Sequence, residues 1–368
     1  MAEVGVGIVG SGFVSTLHAE AMRRVPGAVL RGVTSPTPGH AESFAQAHGV
    51  PSWYTDYRAL LDDPHVDVVC IGAPNHLHRD VAVAAAGAGK HVICEKPLAR
   101  TLAEAEEMVS ACRTAGVLLL YAEELCFAPK YVRAKQLVDE GALGRVFHVL
   151  LSEQHDGPHS AWFYDVRRSG GGVLMDMGCH AIEFCRWMYG KPAVVSVSAT
   201  LGTYMHGRRT EGDDHAVAIL TFEGGEIGVV EVSWAKPGGM DDRAELIGDG
   251  GVSYVDLVRG SALPTFSASG YGYAAEKAPS QGWAYPMFDE TWNYGYVGEM
   301  QHFVDCIRGE AEPRETGEDG LEVLRILYSM YRAAATGRTS AVTVTDGERE
   351  QEPIRSWLQA RRHRHSAT

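Results

Sequence analysis

Short apolar runs alternate with amphipathic stretches along the N-terminal part of the chain. The apolar runs have the length of β-strands and cover residues 4–9, 29–34, 66–72, 91–94 and 117–121. Helical periodicity occupies residues 16–25, 80–88 and 101–115 between them. Strands that alternate with helices predict an α/β domain with a doubly wound parallel sheet, here over residues 1–125. Ligands of such sheets bind at the carboxyl ends of the strands.

The remaining sequence predicts a second α/β domain over residues 126–345. Strands are expected at 145–155, 194–203, 215–222, 227–234, 243–248 and 252–258, and helices at 128–140, 296–308 and 318–336. Gly224 and Gly225 are typical of a hairpin turn, and the strands together predict one large sheet. The aromatic-rich segment 260–296 could be a lid, a subunit contact or both. Residues 346–368 are expected to form a partly disordered basic tail.

Composition restricts the class of protein. The 368 residues suggest two domains, and 45% hydrophobic with 22% charged residues is ordinary for a soluble protein. A formal charge of −14 argues against nucleic acid or a membrane as partner. Seven cysteines without a C-x-x-C pair, and an N-terminus without signal-peptide features, predict reduced thiols and a cytoplasmic location.

The first predicted strand runs into a glycine turn and then a helix, the context of a dinucleotide-binding fingerprint. Gly10 permits the tight turn, and Gly12 lets a pyrophosphate approach the backbone and the helix N-terminus. Ser15 stands where a third small residue is usual. The predicted cofactor contacts here are Gly10, Gly12, Phe13 and Val14.

The end of the second strand bears on the choice between NAD and NADP. NAD-binding folds usually place Asp or Glu there to bind the ribose 2′-hydroxyl, and this chain has none between residues 34 and 40. Ser35, Thr37 and His40 could instead accept a 2′-phosphate, so we favour NADP. The alternative is a proline-stiffened turn that ignores the 2′ position.

Lys96 follows Glu95 and precedes Pro97 at the end of a predicted buried strand. A lysine at that edge of the sheet can reach a cofactor or stabilise a developing alkoxide. A solvated loop lysine is the alternative. The segment 73–78, which includes Asn75, His76 and His78, opens the helix after the preceding strand.

Three glycines, Gly170 to Gly172, lead into a helical pattern that carries Asp176 and His180. Four residues apart on a helix, these two side chains lie on one face. A carboxylate can orient an imidazole that titrates near neutral pH, which suits proton transfer. A surface or capping pair is the alternative.

These motifs together resemble the Gfo/Idh/MocA family (glucose–fructose oxidoreductase, inositol dehydrogenase, rhizopine catabolism). The matching segments are residues 7–12, 73–78, 95–97, 170–180, 299–309 and 318–338. The resemblance implies an N-terminal Rossmann domain and a C-terminal α/β domain with a large, mostly antiparallel sheet. It also implies that this sheet serves the contacts of a homodimer or homotetramer.

The resemblance implies roles for individual residues as well. Lys96 matches the lysine that hydrogen-bonds the reacting oxygen, His180 the general acid/base, and Asp176 a third polar group that contacts substrate. The residues that match the loop on the nicotinamide side are Ala73, Pro74, Asn75 and His78, with Glu95 preceding the lysine. Ser35 departs from the usual acid, and His40 stands near where some NADP-using members have arginine.

A polar and aromatic segment before the glycines is expected to form one wall of the substrate site. The predicted substrate contacts are Glu123, His155, Asp156, His159, Trp162 and Arg167, with Asp176 and His180. A turn with incidental histidines is the alternative. His155 and His159 have zinc-ligand spacing, but Pro158 argues against a helix between them, and no metal is predicted.

The sequence therefore predicts an NAD(P)-dependent oxidoreductase that transfers a hydride to or from a secondary alcohol of a sugar, glycoside or cyclitol. Oxidation of a glucoside at its 3-hydroxyl is a narrower expectation that rests on the resemblance alone. One alternative is redox-assisted deglycosylation, in which the bound cofactor is reduced and reoxidised within one cycle. A second is a regulator that binds dinucleotide without catalysis.

Overall fold

The computed structural model describes residues 3–238, 240–260, 263, 265–268, 282–284 and 289–366. The chain forms two compact units. The first comprises residues 1–99, 103–127 and 295–321, and the second comprises residues 100–102, 128–294 and 322–368. The stretch 295–321 thus belongs to the first unit, whereas the sequence analysis assigned it to the second domain. Much of the predicted aromatic segment 260–296 lies outside the described residues.

The strands of the described residues follow the apolar runs closely. They are β1 Val4–Val9, β2 Ala28–Thr34, β3 Ser52–Tyr54, β4 Val68–Ile71, β5 His91–Glu95, β6 Leu119–Ala122, β7 Val146–Gln154, β8 Val194–Gly202, β9 His215–Phe222, β10 Ile227–Ser233, β11 Asp241–Gly248, β12 Val252–Asp256, β13 Thr265–Ser267, β14 Gly282–Ala284 and β15 Ser340–Ala341. Among the described residues, β13 and β14 form a separate two-stranded sheet.

The α-helices connect these strands. They are α1 Phe13–Met22, α2 Pro38–His48, α3 Tyr57–Leu61, α4 His78–Gly87, α5 Leu102–Ala115, α6 Pro129–Asp139, α7 Val166–Ser169, α8 Val173–Asp176, α9 Gly178–Met188, α10 Glu290–Asn293, α11 Tyr296–Ile307, α12 Gly317–Thr336, α13 Asp346–Arg349 and α14 Arg355–Ser366. Short 3-10 turns cover Asn75–Leu77, Glu124–Phe127 and Ala161–Tyr164. The predicted partly disordered tail instead contains α13 and α14. None of the described helices has both the length and the apolar character needed to cross a membrane.

The sheet of the first unit has the strand order β3-β2-β1-β4-β5-β6, and every neighbouring pair is parallel. This confirms the predicted doubly wound sheet. Ile8, Val33 and Phe44 form part of its core. The stretch 295–321 joins this unit because the Tyr121 N–H donates to the carbonyl of Glu315, and α11 packs on α1.

The sheet of the second unit has the order β12-β11-β7-β10-β9-β8-β15. Only the pair of β7 and β10 is parallel, so the predicted, mostly antiparallel sheet is confirmed. The hairpin between β9 and β10 turns at Gly225, whose φ of 88° favours glycine. Helix α9 packs on β7 and β10, and all of its residues are buried.

Candidate functional site

The turn between β1 and α1 is built around two glycines that are needed for different reasons. Gly10 has a φ of +114°, and a Cβ there would lie 2.7 Å from the carbonyl oxygen of Gly72. Gly12 has an extended backbone, and a Cβ there would meet no protein atom within 4 Å. Neither backbone strain nor packing therefore requires glycine at position 12. The open space above Gly12 fits a ligand that approaches the backbone, as a dinucleotide pyrophosphate does.

Helix α1 begins at this turn with features that favour an anion. Gly12 offers no side chain to cap the helix, and the first turn contains no acidic residue. Its first N–H groups and the helix dipole thus favour a negative charge at this end. The helix also lies very close to β4, because a Cβ on Gly72 would meet Ser15 Oγ at 2.6 Å. A glycine after β4 therefore makes room for the serine at the position where a third small residue is usual.

The end of β2 contains no acid, and its polar groups differ in exposure. Ser35 is buried, and its N–H donates to the carbonyl oxygen of Tyr54. Thr37 and His40 are exposed, and helix α2 begins directly after Thr37. The first turn of α2 has no acidic residue either. Two exposed polar side chains beside a helix N-terminus can face a phosphate without repulsion from that turn.

His78 connects two loops at the carboxyl ends of β4 and β5. Its Nε2 lies 2.9 Å from the carbonyl oxygen of Ala73, and its Nδ1 lies 3.1 Å and 3.2 Å from those of Pro97 and Leu98. Burial lowers the pKa of His78 despite these acceptors. The neutral ring can donate through only one nitrogen at a time. The side chain of this predicted cofactor residue therefore holds the loop that carries Lys96 against the loop that begins at Ala73.

The half-buried Lys96 stands next to a carboxylate that is held from two sides. Glu95 Oε2 accepts a hydrogen bond of 3.1 Å from the Lys96 N–H, and Glu95 Oε1 lies 2.8 Å from His18 Nε2. His18 is fully buried on α1. The Glu95 side chain thus ties the backbone at Lys96 to the helix that begins at Gly12. The sequence analysis gave His18 no role, because a single histidine on an apolar helix face carries no distinctive signal.

The first unit also buries several carboxylates behind the ends of β5 and β6. The group consists of Glu95, Glu123, Glu124, Glu299 and Glu315. Tyr296 donates a hydrogen bond of 3.2 Å to Glu124 Oε1. Burial, followed by these neighbouring carboxylates, raises the pKa of Glu299 well above its usual range. Glu123, a predicted substrate contact, is fully buried within this group.

In the second unit, the segment after the three glycines is two helices rather than the single predicted helix. Helix α8 ends at Asp176, and helix α9 begins at Gly178, so Met177 lies at a break. A Cβ on Gly178 would lie 2.7 Å from Leu174 Cδ1, so Gly178 packs closely against the side chain of Leu174. The prediction that Asp176 and His180 lie on one face of a single helix is therefore wrong. Both side chains are nevertheless buried, at 5% and 2% exposure.

The glycine segment is held by residues that are distant in sequence. Asp213 accepts hydrogen bonds of 2.8 Å from the N–H of Leu174 and from the hydroxyl of Tyr331. Tyr331 in turn accepts from the N–H of Gly172. A Cβ on Gly172 would lie 2.1 Å from the Asp213 carbonyl oxygen. Burial raises the pKa of Asp213 to about 6, although these donors favour its charged form.

Asp176 is oriented by a tryptophan at the end of β10. The Trp234 Nε1–H donates a hydrogen bond of 3.1 Å to Asp176 Oδ2. Trp234 is fully buried, and the rings of Phe163 and Tyr164 lie 6.3 Å and 5.9 Å from its ring. In the sequence, Trp234 was recognisable only as the last residue of the predicted strand 227–234. An indole that donates to a buried carboxylate restricts the orientation in which that carboxylate can meet a substrate.

The predicted substrate wall falls into two groups within the second unit. The rings of His155 and His159 lie 5.1 Å apart, and Asp156 beside them is exposed and bridges to Ala235. Trp162 stacks on the ring of Phe163 at 3.8 Å. Arg167 is exposed on α7 and bonded to Asp165. The histidines thus lie together after β7, whereas Arg167 lines a separate cleft near α14.

Two family models together match most of the chain. Residues 4–123 match the model of an oxidoreductase family with an NAD-binding Rossmann fold, and residues 131–253 match the Gfo/Idh/MocA C-terminal domain. The chain belongs to the Gfo/Idh/MocA family. The resemblance inferred from the sequence is therefore confirmed, and with it the class of NAD-binding oxidoreductases.

Three members of the Gfo/Idh/MocA family illustrate how similar the chain is to known relatives. The crystal structure of GenD2 from gentamicin A biosynthesis, in complex with NAD, is 33% identical with a TM-score of 0.86 and covers 94% of this chain and 97% of GenD2. The scyllo-inositol 2-dehydrogenase (NAD(+)) of Bacillus subtilis is 30% identical over 86% of this chain and 90% of its own. Levoglucosan dehydrogenase in complex with NADH and levoglucosan is 26% identical with a TM-score of 0.79, over 93% of this chain and 100% of that one.

Proposed function

We propose that the protein is a dehydrogenase that oxidises a secondary alcohol of a sugar, glycoside or cyclitol with a nicotinamide dinucleotide. The observation that carries the proposal is the buried Asp176, fixed by Trp234 and followed by the buried His180. Together with Lys96 at the end of β5, these residues match the family's catalytic groups. Relatives that act on inositol or levoglucosan favour the same substrate class.

Each of the three side chains has one task toward the substrate hydroxyl. His180 takes the hydroxyl proton as general base, and returns it as general acid when a ketone is reduced. The Lys96 ammonium stabilises the negative charge that develops on that oxygen. Asp176, held by Trp234, accepts a hydrogen bond from the substrate and keeps it aligned. When bound at the Gly10–Gly12 turn, the dinucleotide supplies the hydride acceptor.

The proposal includes NADP as the favoured dinucleotide. Gly10, Gly12, Phe13 and Val14 would hold the pyrophosphate, and Ala73, Pro74, Asn75 and His78, with Glu95 and Lys96, would border the nicotinamide. The lack of an acid at the end of β2 leaves the exposed Thr37 and His40, with the buried Ser35 at the strand end, as the proposed groups for a 2′-phosphate. NAD remains the alternative, because the relatives crystallised with a cofactor hold NAD or NADH.

The proposal extends to substrate contacts and assembly. His155, Asp156, His159 and Trp162 offer the carboxylate, imidazole and aromatic groups that bind sugar hydroxyls and C–H faces. The outer face of the sheet in the second unit exposes large apolar side chains, among them Ile219 at 46% and Tyr254 at 72%. Monomers rarely leave such a face uncovered, which favours a homodimer or homotetramer. Seven buried free thiols fit a cytoplasmic enzyme.

Nicotinamide absorbance tests the function directly. The purified protein would be incubated separately with NAD and NADP and with myo-inositol, glucose, levoglucosan and several glucosides, including one with a chromogenic aglycone. Reduction of either cofactor, lost in His180→Ala, is the expected result. Release of the aglycone without net cofactor reduction would replace the proposal by redox-assisted deglycosylation. If no compound of the panel gave either cofactor reduction or aglycone release, the proposal would be contradicted.

A further inference from the structure

The second unit has a cleft of about 890 Å³ with an unusual charge. Five of its thirteen lining residues are arginines, namely Arg167, Arg208, Arg209, Arg361 and Arg362. Only Asp165 and Glu211 are acidic, so five minus two leaves a charge of +3. The whole chain has a formal charge of −14. A positive cleft in an acidic protein attracts anions locally against the overall charge.

The loop that carries Arg208 and Arg209 is held rigidly. The buried carboxylate of Asp214 accepts hydrogen bonds of 2.7, 2.7 and 2.8 Å from the consecutive N–H groups of Tyr204, Met205 and His206. The N–H of Arg209 then donates to the carbonyl of His206. The two arginines are thus presented by a fixed turn, which reduces the entropy lost when a ligand binds.

Two of the guanidinium groups are fixed as well. Arg209 lies 4.0 Å above the ring of Tyr164 in a cation–π contact. Arg361 on α14 donates to Thr203 Oγ1 at 2.9 Å and to the carbonyl oxygen of Glu211 at 3.4 Å. Both groups use neutral partners, so their charges remain available to a ligand.

The carboxylates in the cleft are already engaged. Arg167 makes a two-point pair with Asp165, and Arg362 pairs with Glu211 at 3.2 Å. Among the residues that the structure describes, no carboxylate oxygen lies within 4.0 Å of the side-chain nitrogens of Arg208, Arg209 or Arg361. Three positive charges therefore face the cleft without a counter-charge.

We propose that this cleft binds a phosphate-type oxyanion, a phosphate monoester or diphosphate carried by a larger molecule. Guanidinium groups present several N–H donors in a plane and match phosphate oxygens in charge and geometry. The volume exceeds what a lone phosphate needs and is that of a site for a whole small ligand.

The aromatic rings of Tyr164 and Trp234 connect the cleft to Asp176, the candidate catalytic carboxylate. Tyr164 borders the cleft, its ring packs 5.9 Å from that of Trp234, and Trp234 bonds to Asp176. A phosphorylated sugar or a nucleotide-linked sugar is therefore the substrate class that could use both regions. This link rests on the proposed function, whereas the binding of the anion does not.

Calorimetric titration of the full chain with pyrophosphate tests the anion site. The titration is made without dinucleotide, because NADP itself carries the phosphate groups that are proposed to bind in the cleft. The double variant Arg208→Gln/Arg209→Gln is compared with wild type and with Arg145→Gln, an exposed arginine outside the cleft. We expect wild type and Arg145→Gln to bind alike, and the double variant to bind ~10-fold or more weakly. No binding by wild type, or equal binding by all three proteins, would overturn the proposal.

A kinetic comparison then separates the sources of the phosphate. If the substrate carries it, the double variant raises KM for a sugar phosphate but leaves kcat and KM for the matching neutral sugar unchanged. If the double variant loses pyrophosphate binding but its KM changes equally for the sugar phosphate and the neutral sugar, the site binds a free anion. The proposed link to the substrate is then wrong. Failure to oxidise any sugar would contradict the proposed function and leave the binding result standing.

Discussion

The Trp234 Nε1–H donates a 3.1 Å hydrogen bond to Asp176 Oδ2, and both residues are buried. Trp234 follows the last residue of β10, whereas Asp176 is the last residue of α8. One hydrogen bond therefore fixes the carboxylate at the helix break relative to the central strand of the sheet. The indole of Trp234 therefore contributes to the orientation of the Asp176 carboxylate.

Replacement of Trp234 by Phe should lower turnover without unfolding the protein. A hydrogen bond to a charged group contributes about 1.5 to 3 kcal/mol. If that free energy is lost from the transition state, kcat falls by ~10- to 100-fold. The same substitution made in Asp176→Asn should have little further effect, because the partner is already altered. Steady-state kinetics of wild type, the two single variants and the double variant give the coupling free energy between Trp234 and Asp176. Strictly additive losses would show that Trp234 acts by packing alone.

Sequence patterns predicted the elements that depend on interactions between residues close together in the chain. The apolar runs located β1 to within its observed bounds, and the glycine turn after it has the open geometry that the fingerprint predicts. Helix α2 was missed because Pro38 was interpreted as part of a turn, although proline is well suited to the first position of a helix.

The contacts that hold the candidate site are long-range and could not be predicted from one sequence. Asp213 lies 39 positions from Leu174 and 118 from Tyr331, and no local pattern connects them. Residue types at motif positions predicted the candidate groups, while their geometry depends on tertiary contacts.

Stability should depend on pH through Asp213. Its pKa in the folded state is raised from 3.8 to about 6, so the folded state binds the proton more tightly than the unfolded state. The contribution of Asp213 to stability should therefore fall as pH rises from about 4 to about 6 and level off above, by up to ~3 kcal/mol. Asp213→Asn has no charge to bury, and its advantage over wild type should grow across that window. Denaturant unfolding at several pH values measures this, and a constant difference would refute it.

The dinucleotide preference should respond to charge at position 35. Ser35→Asp places a carboxylate where NADP would carry its 2′-phosphate, so kcat/KM for NADP should fall by ~10-fold or more. The kcat/KM for NAD should stay the same or rise. Ser35→Ala serves as control, since it removes only the hydroxyl. Equal losses with both dinucleotides, or a wild type that prefers NAD, would refute NADP as the favoured cofactor.

Assembly should depend on the outer face of the sheet in the second unit. Ile219→Lys puts a charge at the centre of this apolar face and should shift the mass in solution toward the monomer. Trp53→Lys changes an equally exposed apolar residue on β3, with 42% against 46% exposure, and should leave the mass unchanged. Size-exclusion chromatography with light scattering measures the mass in solution of wild type and both variants. A monomeric wild type would contradict the proposal.

The most direct measurement is nicotinamide reduction by Lys96→Ala and His180→Ala, alongside dinucleotide binding by the same proteins. The account predicts that each variant loses turnover by ~100-fold or more, because each removes a group that acts on the substrate hydroxyl. Both variants should still bind the dinucleotide at the Gly10–Gly12 turn. Near-wild-type turnover in either variant would contradict the assigned role of that residue, and with it the proposed mechanism.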